Sequence, residues 1–123
     1  MKETDGPSEI YDAREIQDVL LSIGVPANLS GFKYITYAVQ LILANPEEST
    51  IKIVDGLYAD VGRKYATKST RVERCIRHAI VTTWQRGNVE YINYLFKSSI
   101  NPKRGNPTNT QFLMRLYYYF ATK

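Results

Sequence analysis

Arg71, Arg74, His78 and Gln85 follow one another at intervals of three, four and seven residues. On an α-helix each residue advances by about 100°, so these four side chains form one narrow line of long hydrogen-bond donors. Two of them are guanidiniums, which pair bidentately with guanine O6 and N7 in a DNA major groove. The chemistry implied is recognition, not bond making. Val72, Cys75, Ile76, Ala79, Ile80, Thr83 and Trp84 fall in a broad apolar arc on the other side, the face such a helix buries.

The ends of this helix carry their own signals. Thr70 and Glu73 have the spacing of a capping box, in which hydroxyl and carboxylate satisfy each other's backbone amides. Gly87 follows Arg86 and is expected past the helix end in a positive-φ conformation. Arg86 suits the negative end of the helix dipole.

Charge is concentrated around the same segment. Residues 63–86 hold seven Lys/Arg and one acid, Glu73, while the other 99 residues hold nine bases and eleven acids. A chain of net charge +4 thus places +6 in one stretch, the electrostatic footprint of a polyanion site.

The elements that must position this line are helical throughout. Residues 1–9 read as a flexible tail or linker. A helix is predicted over Tyr11–Ile23, ended by Gly24, and a second over Phe32–Ala44, stopped by Asn45-Pro46. Ser49 can cap a third helix carrying Ile51, Ile53, Val54 and Leu57. A short fourth runs from Ala59 to Tyr65, followed by a turn at 66–69 and the long helix 70–86. The two resemble a helix-turn-helix at about 57–86. Val61 and Tyr65 offer an apolar stripe, and Gly62 and Ala66 are small where two helices cross closely. Helices follow at Asn88–Phe96 and, capped by Thr108 or Asn109, up to about Phe120. The expected fold is all-α, one compact domain of about six helices spanning 10–123.

Composition narrows the class. The 123 residues suffice for one core, and 44% are apolar. No apolar run approaches the roughly 20 residues of a membrane span, and the N-terminus lacks the apolar centre of a signal peptide. The single cysteine, Cys75, lies on the apolar arc and forms neither a disulfide nor a metal cluster. A cytoplasmic protein without metal or cofactor is expected. There is no paired-carboxylate site, no nucleophile–base set and no phosphate-cradling glycine loop, so an enzyme is not expected.

Ser69–Ile80, Trp84 with Arg86-Gly-Asn88, and Pro107-Thr-Asn109 closely resemble the effector domain of the sporulation stage-zero response regulator A family. Ile23-Gly-Val-Pro-Ala27 and Gly31-Phe-Lys-Tyr34 resemble its first turn and second helix. The resemblance covers roughly residues 14–120. It implies a six-helix transcription-regulating domain that binds double-stranded DNA at TGTCGAA-type boxes, often as tandem copies, so that pairing of two chains on adjacent boxes is expected. It makes Arg71, Glu73 and Arg74 base contacts, and it implies an RNA polymerase sigma-factor contact in the segment containing Phe96. Tyr91 and Ala59 depart from the family pattern, as does the tyrosine-rich tail. The family also has a phosphorylatable N-terminal receiver, and nothing here resembles one. The chain is then either an excised effector domain or a stand-alone relative.

The remaining residues have weaker assignments. Arg77 is either a phosphate clamp or the i,i+4 partner of Glu73. His78, with no companion for catalysis or metal binding, is assigned to a phosphate or base. Lys64 and Lys68 flank the turn and suit phosphates. Asn106 and Thr108 can present the last helix's free amides to a phosphate. Trp84 is expected as a core anchor. Of the aromatics Tyr117–Phe120 at least one must be exposed, which suggests a dimer or polymerase contact. A second reading is an all-α interaction module that binds a sigma factor or another regulator, with DNA binding secondary or lost.

Overall fold

The computed structural model describes residues 12–46, 56–96 and 105–122. Among these residues there are six helices and no strand: α1 (Ala13–Ile23), α2 (Ser30–Ala44), α3 (Tyr58–Lys64), α4 (Ser69–Arg86), α5 (Val89–Phe96) and α6 (Asn109–Ala121). The all-α expectation holds. Most of the helix expected at 51–57 and the tail 1–9 lie outside the described residues. No helix among the described residues is long and apolar enough to cross a membrane.

Helix α1 starts where Asp12 accepts from the Arg14 amide at 2.9 Å and ends at Gly24, whose φ of 97° lets its amide reach the Leu20 and Leu21 carbonyls. Ile16, Val19, Leu20 and Ile23 make its buried stripe. Helix α2 is the central member. It is buried on most sides and packs against α1, α3, α4 and α6. It approaches α4 tightly at Gly31, where a Cβ would run into the Cys75 carbonyl and lie 2.8 Å from Ala79 Cβ.

Helices α3 and α4 and the turn between them form the expected pair, but the turn works differently from expectation. Gly62 is the small residue it requires. The Thr67 amide donates to the Gly62 carbonyl at 2.9 Å, and a Cβ on Gly62 would sit 2.5 Å from the Thr67 oxygen. Ala66, in contrast, meets no second helix. It is exposed and turns the chain with φ 55°, a left-handed conformation that is costly for any residue with a Cβ.

Two expected caps of α4 are corrected. The helix begins at Ser69 because Lys68, extended at φ −83° and ψ 150°, is its N-cap and accepts the Val72 amide at 3.1 Å. Thr70 is therefore inside the first turn, and no side chain caps this end. At the other end Gly87 has φ −78°, not a positive value. What demands glycine there is packing: a Cβ would strike the carbonyls of Ile23 and Thr83. The Asn88 amide then donates to the Ile23 carbonyl at 3.1 Å, joining the ends of α1 and α4.

Asn88 and Thr108 start the last two helices. The Asn88 side chain accepts from the Tyr91 amide at 3.1 Å. Thr108 forms a complete capping box with Gln111. Helix α6 closes the core against α2 and α4, and Arg115 donates to the Leu95 carbonyl at 2.6 Å to hold α5. Trp84 is half-buried and edge-on to Phe96 and Phe112, with ring centroids at 5.0 and 6.0 Å, so it is the anchor expected of it.

Candidate nucleic-acid interface

One face of α4 is set by the burial of the other. Val72, Ile76, Ala79, Ile80 and Thr83 are all buried, which fixes the rotation of the helix. Arg71, Arg74, His78 and Gln85 are consequently exposed in a line. Among the described residues no carboxylate pairs with Arg71 or Arg74, nor with Lys64, Lys68 or Arg86. The two ion pairs among the described residues engage Arg63 with Asp60 and Arg77 with Glu73. The positive field of the segment is thus largely uncompensated.

Arg74 and His78 border a groove of about 450 Å³ whose opposite wall is Asn28, Leu29 and Ser30. That wall is the start of α2, where no side chain caps the helix. The sequence marks the turn before α2 but gives it no binding role. Only the packing of Gly31 on α4 brings it beside the basic line.

Glu73 lies off the Arg71/Arg74 line. Its position in the second turn excludes a capping role, and its half-exposed carboxylate accepts from Arg77. This is the i,i+4 pair that the spacing of Glu73 and Arg77 offers. The Glu73 backbone carbonyl accepts from the Asn109 side chain at 3.0 Å. Tyr58 hydrogen-bonds Asn109 as well, and burial, the main cause, pushes its phenol above the usual tyrosine value. A cleft of about 290 Å³ follows, lined by Tyr58, Glu73, Arg77, Pro107, Thr108, Asn109 and Thr110.

The other assigned residues divide. Lys68 is exposed at the start of α4, and Asn106 and Thr108 are exposed before α6. Thr108 uses its hydroxyl to accept the Gln111 amide at 3.1 Å. The Lys64 ammonium lies over Tyr37 and Tyr65 at 5.3 and 6.0 Å from the ring centroids. Phe96 is 2% exposed and stacked on Phe112 with centroids 5.5 Å apart. The exposed apolar side chains of this segment are Val89 and Tyr94.

A helix, a tight turn and a second helix with an exposed, unpaired basic line define a class, the helix-turn-helix DNA-binding domains. Residues 16–120 match the family described as sporulation initiation factor Spo0A, C terminal, and the chain belongs to that family. It is accordingly a DNA-binding effector domain of a sporulation regulator.

Proposed function

We propose that α4 is the recognition helix and reads TGTCGAA-type boxes from the major groove. The observation that carries this reading is the exposed, carboxylate-free pair Arg71 and Arg74 in the first turns of α4. Each guanidinium takes a guanine O6/N7 edge. Glu73 accepts from a cytosine amine, its carboxylate steadied by Arg77. Lys64, Lys68 and Arg77 supply phosphate contacts around them, as does His78 through the groove it shares with the α2 N-terminus. Asn106 and Thr108 do so at the start of α6.

Two chains pair on tandem boxes. A sigma-factor contact on α5 uses the exposed Val89 and Tyr94 in place of Phe96. Tyr118 on α6, 52% accessible, is a further exposed aromatic side chain. It also supports the second reading, an interaction module with DNA secondary.

Fluorescence anisotropy on a labelled box duplex and a scrambled duplex, across a salt series, tests the first reading. Tighter binding to the box is expected, with a log K against log salt slope near −4 to −5 for about five phosphates. Equal binding to both duplexes would remove the reading of bases by α4. Retention of a sigma subunit without DNA affinity would favour the second.

A further inference from the structure

Two ammonium groups converge on one tyrosine. Lys33 of α2 and Lys64 of α3 place their Nζ atoms 5.1 and 6.0 Å from the centroid of the Tyr65 ring. Lys33 also lies 5.8 Å from Tyr34, and Lys64 lies 5.3 Å from Tyr37. The rings form one cluster: Tyr34 and Tyr37 sit 5.4 and 6.1 Å from Tyr65, tilted and edge-on. Both lysines are exposed, and among the described residues no carboxylate pairs with either.

This arrangement has an unbalanced charge. Two like charges drawn to the same ring repel each other. A cation–π contact at an exposed site is weak, so the rings orient the ammoniums without neutralising them. An anion held by both removes the repulsion. The position of the cluster says which anion. Tyr65 ends α3, Ala66 makes the turn, and Lys68 is the N-cap of α4. The lysine pair therefore flanks the turn that delivers the proposed recognition helix.

We infer that Lys33 and Lys64, aligned on the Tyr34/Tyr37/Tyr65 cluster, jointly seat one backbone phosphate of the duplex. The DNA footprint then extends onto α2, a helix outside the helix-turn-helix, and Lys33 becomes a binding residue. The inference rests on the DNA reading above. It predicts affinity without sequence preference, because a phosphate carries no base identity.

The test is anisotropy on the box and scrambled duplexes, over a salt series, for the parent chain, Lys33→Gln, Lys33→Arg and Lys33→Gln/Lys64→Gln. The double variant should flatten the log K against log salt slope by about one and weaken both duplexes by the same factor. Lys33→Gln alone should show part of that loss, and Lys33→Arg should restore it. A Lys33→Gln slope equal to that of the parent overturns the inference while leaving the DNA reading intact. A parent chain with no salt-dependent binding to either duplex overturns both.

Discussion

The side-chain amide of Asn109 donates to the backbone carbonyl of Glu73 at 3.0 Å, tying the first residue of α6 to the second turn of α4. Tyr58 of α3 bonds the same side chain, so three helices meet at one buried amide. The residue next to the Arg71/Arg74 line is thereby fixed from behind.

Asn109→Leu keeps the forked outline of the side chain and removes both bonds. A buried amide that satisfies two partners contributes about 1–3 kcal/mol once those partners are left unpaired. Urea unfolding should show a loss of that size. An unchanged midpoint would mean that apolar packing alone joins α6 to α4.

Arg74→Ala should narrow the ratio between box and scrambled duplex, since one bidentate arginine–guanine pair discriminates by about 1–3 kcal/mol. Lys68→Ala should instead lower both affinities together. Equal losses on the two duplexes for Arg74→Ala would take base reading away from that residue.

Ala66→Gly should stabilise the fold. Ala66 is exposed and held at φ 55°, a conformation that costs a Cβ-bearing residue about 1–2 kcal/mol. Glycine adopts it freely, less the entropy it adds to the unfolded chain. A rise in Tm is the expected readout, and a fall would show that the methyl group makes a contact that matters more.

Gly31→Ala should do the opposite. Its new methyl group would meet the Cys75 carbonyl and lie 2.8 Å from Ala79 Cβ, forcing α2 off α4 at a cost of about 1–3 kcal/mol. The same shift would open the groove between Ser30 and Arg74, so nonspecific DNA affinity should change with stability. Circular dichroism melts and anisotropy on one preparation give both numbers.

Alkali should unfold the domain earlier than its helix content suggests. Burial, the first cause in all three, displaces Tyr58, Tyr65 and Tyr91 above the ordinary tyrosine value. The unfolded chain releases these protons near pH 10 while the folded chain retains them. Their contribution is therefore complete at neutral pH and disappears as pH rises past that value. Urea midpoints should hold steady to about pH 9 and fall above about pH 10. A flat profile there would mean that the folded tyrosines ionise as readily as free ones.

The helices were legible because their apolar stripes repeat at helical spacing, and the basic line of α4 was legible because the same period places it opposite the stripe. What escaped sequence reading depends on distant chain. Gly87 looked like a left-handed cap, yet its constraint comes from Ile23 across the α1 terminus. Phe96 looked available, but Trp84 and Phe112 enclose it. Thr70 matched a capping pattern that the extended backbone of Lys68 pre-empts by one residue. Asn109 read as a cap for its own helix, whereas its amide serves Glu73, 36 residues earlier. Lys33 has no binding role in the sequence reading, because nothing in its neighbours along the chain points to Tyr65.

The single tryptophan of this chain stands where α4, α5 and α6 meet, edge-on to Phe96 and Phe112. It lies about 15 Å along α4 from Arg74 and is packed on two rings of the interior, so its emission should follow the integrity of that interior more than the contacts Arg71 and Arg74 make with a duplex. The molecule thus carries a built-in optical control. A variant that loses DNA but keeps the parent's tryptophan spectrum has lost a contact, and one that shifts to the red has lost its fold.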